Sequence, residues 1–581
     1  MEQRTMNMTQ PRTMKAVPIV PLVLICWFFL GAVGESVAQS QRFWVALRDR
    51  GDDAVLLQTH SFARELGISD HALRRRAKVL PQDRLLDERD LPVADRYLQL
   101  LRAQGARIRS VSRWFNAVSV EISPRHLPTI QTLPWVASIK PVAVFRKHQP
   151  EISPVGPFNT LHKLGGTAVP EYGSSFVQLN GIKVVDVHAK GITGQDVVIG
   201  MIDDGFNEHR VHPALRNISV LAEYDFIQRD NNTMRAPGEY SGQGNHGAGT
   251  LSVVGGYEEG KLIGAAYGAS FLLAKTEIDS VEIQVEEDLY IEGLEWLERN
   301  GADIVSSSLG YIDWYSYSDL DGATATTTKA ARILARKGVL HVTAMGNEGT
   351  YRNAQTRETG TLIAPSDADS IVSVGATLSD GGKAGFSSTG PTADGRIKPE
   401  VVAQGVGVYA MYGEGGYTFA NGTSFSTPLA AGVAALILSA HPELTPLEVR
   451  ARMISTASPL ETPIPNNFTG SGLLNALEAV GLVFTTVPDR FVLYNNYPNP
   501  FNAGTSIVFG APGVHPVELV VFNALGQKVR TLFTGVSRPG QNRIVWNDGR
   551  NDAGAQVATG LYLYRLTTPG SVLTGKMLYL K

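Results

Sequence analysis

The chain has 581 residues, a formal net charge of -3 and one cysteine. That length is too great for a single hydrophobic core, and a typical domain size of about 150 residues predicts three or four structural units. A charge balance this close to neutral gives no support to nucleic acid or an anionic membrane as a partner.

The first 38 residues have the layout of a secretory signal peptide. Basic residues precede the apolar run AVPIVPLVLICWFFLGAVG, and small residues come shortly before Gln39. The alternative is a membrane anchor, because the run is close to the length of a short transmembrane span. Cys26 lies inside the run, so the mature chain would contain no cysteine and form no disulfide. We expect a secreted or cell-surface protein that passes through the periplasm, with translation starting at Met1 or Met14.

Residues 39–147 are predicted to form a small α+β domain. Strand-like runs such as FWVAL and NAVSVEI alternate with helix-like runs such as SDHALRRRAKVL and DRYLQLLRAQG. Residues 41–150 include nineteen Lys and Arg against eleven Asp and Glu, so this part is basic and the chain after it is acidic. The two parts are therefore expected to attract each other.

A linker and a larger α/β domain follow. Residues 148–172 are rich in Pro and Gly, which is typical of an exposed linker. From 173 to 483, apolar runs such as DVVIGMI, SFLLAK and VLHVTA alternate with helical stretches such as TATTTKAARILARKG. Strands without polar alternation that are separated by helices predict a parallel sheet covered by helices on both faces.

The last hundred residues differ from the rest of the chain. Runs such as VELVVF, RIVW and LYLYRL are separated by turn sequences such as NALG and NDAG, and no helix pattern stands out. This pattern predicts an all-β module at residues 487–581, which we interpret as an immunoglobulin-like sandwich.

Four polar residues stand beside predicted strands or helices of the α/β domain. Asp203 ends an apolar strand, where open parallel sheets build their sites, and a buried carboxylate there requires a partner. His246 lies among glycines, Asn347 follows another apolar strand, and Ser424 begins the run SFSTPLAAGVAALIL. Each also has an ordinary explanation: a core or surface histidine, a Gly-Asn turn, and a capped core helix with Pro428 in its first turn.

The order of these four residues resembles that of the subtilisin-like serine proteases. The resemblance runs from about Tyr172 to about Gly481. It rests on segments that occur in the family's order: VIGMIDDGF, HPAL, HGAGTLS, SSSLG, AMGNEG, FSSTGPTADGRIKPEVVAQG and GTSFSTP. Five or six motifs in one order make the match specific, and it implies the family's parallel α/β fold.

The resemblance implies a role for each residue. Ser424 would be the nucleophile, His246 the general base that takes its proton, and Asp203 the carboxylate that orients the imidazole. Asn347 and the backbone N–H of Ser424 would bind the oxyanion that forms on the substrate carbonyl. Residues expected to contact the bound peptide are Ser308, Leu309, Gly310 and Gly346.

The chain departs from the family pattern near these residues. Asp204 stands where Thr or Ser is usual, and we interpret it as a turn residue before Gly205. Gly-Ala-Gly-Thr follows His246 where Gly-Thr-His-Val is usual, and Phe425 and Ser426 replace Met and Ala. These changes bear on the shape of the substrate subsites, and they remove no group that the mechanism needs.

The sequence also supports expectations about substrate specificity and bound ions. Ile363 is expected near the floor of the first substrate pocket, where it would favour a modest apolar side chain. No cofactor and no catalytic metal are expected. Structural calcium is common in the family and would suit a secreted enzyme without cysteine, but the stretch SDLDG at 318–322 is too short to predict an ion site.

The flanking domains carry resemblances of their own. Residues 39–147, with RWFNAVSVEI and LPWVASIKPV, resemble the propeptide that helps these proteases fold and inhibits them; the alternative is an unrelated adaptor. The strand near Val142 to Phe145 is expected to lead its tail into the cleft. The end of the chain, with YNNYPNPFNAGTSIVF and VVFNALGQKV, resembles the C-terminal sorting domain of the type IX secretion system. The alternative there is a generic immunoglobulin-like or carbohydrate-binding module.

These patterns together predict a secreted serine endopeptidase with an inhibitory propeptide. Its expected partners are protein or peptide substrates, its own propeptide and the type IX secretion machinery, and nucleic acid is not among them. The rival interpretation is a catalytically idle subtilisin fold kept as a surface binding or adhesive protein. An idle site has no reason to keep Asp203, His246, Asn347 and Ser424 together, so the sequence favours the enzyme.

Overall fold

The structure is a computed structural model of the chain. It describes residues 40–51, 62–142, 170–279, 285–349, 360–413, 415–461, 463–481, 490–494, 496, 499–501, 504–537, 540–546 and 549–580. The predicted signal peptide at 1–38, almost all of the predicted linker at 148–172 and the residues after Val142 that are expected to enter the cleft lie outside this set.

The N-terminal unit is a four-stranded antiparallel sheet with short helices. Its strands are β1 (Gln41–Leu47), β2 (Arg107–Ser112), β3 (Ala117–Ile122) and β4 (Val136–Pro141), and its helices are α1 (Phe62–Glu65), α2 (Asp70–Arg76), α3 (Asp95–Ala103) and α4 (Leu127–Gln131). The strand order is β2-β3-β1-β4. Alternate residues of β1, namely Phe43, Val45 and Leu47, are buried, as expected for a sheet that is packed on one face. The predicted α+β fold of this part is confirmed.

A seven-stranded parallel sheet forms the centre of the α/β domain. The strands of this domain are β5 (Val198–Asp203), β6 (Ser219–Asp225), β7 (Tyr257–Glu258), β8 (Leu262–Ile263), β9 (Ser270–Lys275), β10 (Ile304–Ser307), β11 (Leu340–Ala344), β12 (Val372–Thr377), β13 (Val401–Gln404), β14 (Val408–Tyr412) and β15 (Gly416–Ala420). The central sheet has the order β13-β12-β11-β10-β5-β9-β6, while β7–β8 and β14–β15 are small hairpins. Every residue of β5, β10 and β11 is buried, including the polar residues Ser306, His341 and Thr343, which explains why these strands do not alternate apolar with exposed polar residues.

Helices cover both faces of this sheet. They are α5 (Phe176–Gly181), α6 (Val184–His188), α7 (Asn245–Gly255), α8 (Val285–Asn300), α9 (Thr326–Arg336), α10 (Thr423–Ala440), α11 (Pro446–Ser455) and α12 (Ala476–Val480). One hydrophobic core contains residues of α7 and α10, and a second contains residues of α8 and α9. Among the described residues, α10 alone is long and apolar enough to cross a membrane, but 83% of it is buried in the protein, as in a core helix.

The C-terminal module consists of two antiparallel sheets. Its strands are β16 (Val492–Leu493), β17 (Thr505–Ala511), β18 (Pro516–Asn523), β19 (Lys528–Val536), β20 (Gly540–Trp546), β21 (Gly560–Thr568) and β22 (Ser571–Tyr579). One sheet has the order β16-β17-β20 and the other β19-β18-β21-β22. Side chains of both sheets, including Phe509, Trp546 and Tyr564, form one apolar core. The predicted all-β sandwich is confirmed.

The N-terminal unit lies against helix α8 of the α/β domain. The Glu295 carboxylate accepts hydrogen bonds from the Ser112 hydroxyl (2.6 Å) and from the backbone N–H groups of Arg113 (2.9 Å) and Trp114 (3.1 Å). The Ser110 hydroxyl donates to Glu292, 2.8 Å away. Acidic side chains of α8 therefore accept hydrogen bonds from the end of β2 and from the turn that follows it.

Three neighbouring strands end at one edge of the central sheet. Asp203 is the last residue of β5, and β10 and β11 end at Ser307 and Ala344. Because β5 pairs with β10 and β10 with β11 in parallel register, the residues that follow these strands are neighbours in space. Helices α7 and α10 begin with Asn245 and Thr423, and so bring His246 and Ser424 to their first turns.

Candidate active site

A buried carboxylate and a half-buried imidazole form the centre of the site. Asp203 Oδ1 lies 2.6 Å from His246 Nδ1, and the Asp203 side chain is 1% exposed while that of His246 is 28% exposed. Because Nδ1 is engaged with the carboxylate, the outer nitrogen Nε2 is the atom of this ring that is left to exchange a proton with a substrate or a nucleophile.

Two further groups donate to the Asp203 carboxylate. The backbone N–H of Asp204 donates to Oδ1 (2.9 Å), and the Thr250 hydroxyl lies 3.0 Å from Oδ2. A buried carboxylate held by three hydrogen-bond donors is fixed in one orientation. Thr250 is four residues after His246 on α7, so the two side chains lie on the same face of the helix and reach the same carboxylate.

The surroundings of His246 favour its protonated form. Burial acts to lower the pKa of His246, but the charge of Asp203 and the hydrogen bond to it, with the charges of Asp204 and Glu277, outweigh burial and raise the pKa of His246 to about 9. At a pH below that value the imidazolium is paired with Asp203, and above it the neutral ring can act as a base.

Close approach of α7 to the end of β5 requires a glycine after His246. A Cβ at Gly247 would lie 2.1 Å from the Gly205 carbonyl oxygen and 2.8 Å from Asp203 Cβ. Any side chain at residue 247 would push the helix away and lengthen the contact between Asp203 and His246.

Ser424 is the second residue of α10, and its backbone carbonyl is bonded in an unusual way. Helix α10 begins at Thr423, so Pro428 lies inside the helix and the prediction that it occupies the first turn is wrong. Pro428 has no N–H to donate to the carbonyl four residues earlier, which is that of Ser424. The Ser308 hydroxyl donates to this carbonyl instead, at 2.7 Å.

The Ser424 hydroxyl completes a reciprocal pair with Ser308. Ser424 Oγ donates to the backbone carbonyl of Ser308, 3.3 Å away, rather than to His246, whose ring lies edge-on to that of Phe425 with centroids 5.9 Å apart. Rotation of one side-chain torsion would release Oγ from this long hydrogen bond. Hydrogen bonds of a catalytic serine are often long or misaligned in the absence of substrate.

Asn347 and the start of α10 present two donors to one place. Asn347 Oδ1 accepts from the Thr423 N–H and hydroxyl, both at 3.0 Å, which fixes the orientation of the amide and leaves Nδ2 as the outward donor. A Cβ built at Gly422 would lie 3.6 Å from Asn347 Nδ2 and 3.7 Å from the Ser424 nitrogen. The two nitrogen atoms therefore lie near one point beside Ser424.

The residues predicted to bind peptide follow β10 and β11, in segments that contact Ser424 and Thr423. Ser308 and Leu309 are buried after the end of β10, Gly310 is half-buried, and Gly346 precedes Asn347. The half-buried Ile363 lies between the two segments, because Cβ atoms built at Gly310 and Gly346 would meet Ile363 atoms at 2.2 Å and 3.0 Å. Ile363 thus fills the gap between both glycines.

Three neighbouring side chains of the site have atoms of the kind that bind metal ions. Within the described part of the chain, one group has ligand atoms close enough together to hold an ion: Asp203, Asp204 and His246. Their carboxylate oxygens accept hydrogen bonds from N–H and O–H groups, so these atoms are already satisfied without a cation. In the stretch SDLDG, Asp321 accepts from the N–H groups of Ala323 and Thr324 and serves its own turn.

The chain also matches known protein families. The subtilase family pattern matches residues 194–472, and that of the Bacteroidota peptidase S8 propeptide domain matches residues 42–153. A FlgD Ig-like domain pattern matches residues 499–570. The parallel α/β fold and the subtilase match together define a serine peptidase.

Relatives of known activity place the chain within that class. Subtilisin DY of Bacillus licheniformis is 32% identical over 51% of this chain and 94% of its own length. Subtilisin E of Bacillus subtilis (strain 168) is 32% identical over 52% of this chain and 70% of its own length. Subtilisin Savinase of Lederbergia lenta is 28% identical over 51% of this chain and 96% of its own length. The chain belongs to the subtilase family and is a subtilisin-family serine protease.

Proposed function

We propose that this protein is a secreted serine endopeptidase in which Ser424, His246 and Asp203 form the catalytic triad. The observation that carries the proposal is the 2.6 Å contact between Asp203 and His246, at the sheet edge where Ser424 lies in the first turn of α10. Its reaction uses the chain's own groups and water, with no cofactor. The domain boundaries predicted from the sequence remain part of the proposal.

In the proposed reaction, Ser424 Oγ turns from the Ser308 carbonyl toward His246 Nε2. His246 takes the hydroxyl proton as Oγ bonds to the substrate carbonyl carbon, and the π electrons of the carbonyl move onto its oxygen. When this intermediate collapses, the C–N bond breaks and the proton passes from His246 to the leaving amine. Water then enters, gives a proton to His246 and adds to the acyl carbon; the ester C–O bond breaks as His246 returns that proton to Ser424 Oγ. Asp203 orients the ring throughout and balances its positive charge.

Charge on the substrate oxygen is stabilised by the start of α10. Asn347 Nδ2 and the Ser424 N–H donate to the developing anion, and the positive end of the helix adds to their effect. Because the Thr423 contacts hold the Asn347 amide in place beforehand, little reorganisation is needed when the charge forms. Ser308, Leu309, Gly310 and Gly346 are proposed to border the bound peptide.

Labelling with a serine-reactive fluorophosphonate tests this proposal. The mature protein should be labelled once and should hydrolyse peptides, and Ser424→Ala should lose both properties. Ser439→Ala is the control, because its hydroxyl lies on the same helix, next to Gln195 and away from the site. A wild-type protein that takes no label would favour the rival interpretation, a binding protein with an idle subtilisin fold.

The N-terminal unit is proposed to inhibit the enzyme until it is removed. Its match to a propeptide domain and its contact with α8 support this role over that of an unrelated adaptor. Residues 39–147 added to the mature enzyme should inhibit peptide hydrolysis. If the separate unit binds but does not inhibit, it is a docking module and not an inhibitor.

The C-terminal module is proposed to direct export through the type IX secretion system, after a signal peptide has brought the chain to the periplasm. Support comes from the resemblance of its PNPFN turn and final strand to that sorting domain, while the FlgD Ig-like match names only an immunoglobulin-like fold. A chain that ends near Val487 should fold and cleave peptides but remain in the periplasm. Normal export of that chain would favour a binding module.

A further inference from the structure

Asp204 is tied to both halves of the Asp203–His246 pair. Its side chain is buried, so its interpretation as an ordinary turn residue is wrong. Asp204 Oδ2 accepts from the Gly244 N–H at 2.9 Å, and Oδ1 accepts from the Gly247 N–H at 2.8 Å. Its own N–H donates to Asp203 Oδ1. One residue therefore connects the end of β5 to the start of the helix that carries His246.

The start of α7 needs an acceptor that its own sequence does not supply. A helix leaves its first N–H groups unpaired, and usually the side chain of the N-cap residue accepts from one of them. Here the N-cap is Gly244, which has no side chain and adopts a left-handed backbone with φ of +82°. The N–H of Gly247, the third residue of α7, is bonded by Asp204 from the neighbouring strand.

We propose that Asp204 is a positioning residue that caps α7 from the end of β5 and thereby holds His246 in register with Asp203. The inference rests on the proposed function, in which His246 is the general base. A carboxylate suits the position because its two oxygens accept from two N–H groups at once, and because a negative charge is favoured at a helix N-terminus. Serine or threonine, the residues usual in the family at this position, has a single side-chain oxygen.

The charge of Asp204 acts on the same histidine. Asp203, Asp204 and Glu277 are the acidic groups whose charges raise the pKa of His246. Burial and the charge of Asp203 raise the pKa of Asp204 well above its ordinary value, although His246 and the Gly247 N–H act to lower it. When Asp204 is ionised, its charge stabilises the His246 imidazolium, so removing the carboxylate should make the imidazolium easier to deprotonate.

The test compares Asp204→Asn with wild type by kinetics across pH. The asparagine amide keeps one acceptor but turns an NH2 group toward one of the two N–H donors. We expect kcat to fall by about tenfold to a hundredfold with KM nearly unchanged, because a small displacement of the base slows proton transfer more than binding. We also expect the acidic limb of the kcat profile to move to lower pH. Asp380→Asn, at an exposed turn where the carboxylate also accepts one N–H, is the matched control and should change neither.

A second variant and a non-kinetic measurement separate positioning from stability. Asp204→Ser should fold even if the asparagine variant does not, and should show the same two changes. In a Ser424→Ala background, NMR titration of the His246 ring should give a lower pKa in either Asp204 variant. A fall in melting temperature with unchanged kcat, pH profile and ring titration would overturn the inference while leaving the proposed peptidase intact. Wild-type protein without activity or label would contradict the proposed function instead.

Discussion

Ile363 shows how one side chain can limit which substrates an enzyme accepts. It fills the space between Gly310 and Gly346, and these glycines belong to the two segments that contact Ser424 and Thr423. In the proposed mechanism, a peptide attacked by Ser424 would place the side chain of its reacting residue near this gap. We therefore expect small residues, such as alanine, before the bond that is cut.

Replacing Ile363 with glycine should widen this space. In Ile363→Gly, kcat/KM for a peptide with phenylalanine before the scissile bond should rise relative to that for alanine by about tenfold or more, since a few methylene groups in an apolar pocket change rates by that amount. Paired peptide anilides that differ only in this residue measure the ratio. An unchanged ratio would mean that the reacting side chain lies elsewhere, and Ile371→Val, in a buried apolar cluster with Ala331 and Ala368, serves as the control.

The pH dependence of the activity follows from His246. The neutral ring is needed to take the serine proton, so kcat/KM should rise as pH increases through the pKa of His246, which is raised from 6.5 to about 9. The enzyme should therefore be most active in alkaline solution. Stopped assays over a range of buffers at constant ionic strength measure this rise of kcat/KM with pH. A midpoint at or below the ordinary pKa of histidine would show that Asp203 and its neighbours do not stabilise the imidazolium as described.

At the scale of helices and strands, the sequence predicts the elements better than the contacts between them. Short, mostly apolar runs between helical stretches identify β5, β10 and β11, and polar residues at or just after the strand ends identify Asp203 and Asn347. The roles of Asp204 and Thr250 depend on how α7 packs against β5, which no local pattern records. The sequence does not show that Pro428 lies inside the helix. Ser and Thr occur both just before Pro428 and five residues earlier, so either place could be the start of the helix.

Helix α2 contributes a second contact between the N-terminal unit and the α/β domain. Arg75 and Arg76 are buried and both pair with Glu298 of α8, and Arg76 also pairs with Asp90 of its own unit. Lys337 Nζ lies 2.9 Å from Asp90 Oδ1. Burial acts to raise the pKa of Glu298, but the charges of Arg76 and Arg75 outweigh it and hold this pKa below its usual value. The cluster is thus charged, buried and shared by the two units.

Breaking this cluster should weaken the binding of the propeptide to the mature enzyme. In mature enzyme carrying Glu298→Gln, the inhibition constant of added residues 39–147 should rise by about a hundredfold or more, because two buried guanidinium groups lose a partner. Glu443→Gln, at a side chain that is 69% exposed, is the matched control. Equal inhibition of both variants would show that α2 adds nothing to binding and that β2, β3 and their turn suffice.

At the scale of the whole molecule, two carboxyl groups of α8 make the binding of the N-terminal unit to the α/β domain sensitive to pH. Burial beneath the N-terminal unit raises the pKa of Glu295 to about 7 and that of Asp288 to about 8. These groups return to ordinary values when the unit leaves and water reaches them, so the united form binds more protons than the separated one. Affinity should then be greatest in mild acid and should decline as pH rises through the raised values.

Calorimetry of the separated units can measure this decline. Residues 39–147 titrated into mature Ser424→Ala enzyme, which cannot degrade them, should bind more weakly at about pH 9 than at about pH 6 and should take up protons on binding near neutrality. Glu295→Gln, which is neutral at every pH, should flatten part of the profile. Affinity that rises with pH would contradict the assignment of these protons to α8.

The position of α8 also bears on how the chain reaches its fold. Strand β5 lies between β9 and β10, and α8 is the crossover that links those two strands over it. Pairing β5 with β10 closes a loop of about a hundred residues, and such long closures make parallel sheets slow to form. We expect a partner that binds α8 to stabilise this crossover early and to lower the folding barrier. Once the partner is gone, the same barrier opposes unfolding, so the mature protease would persist because it unfolds slowly.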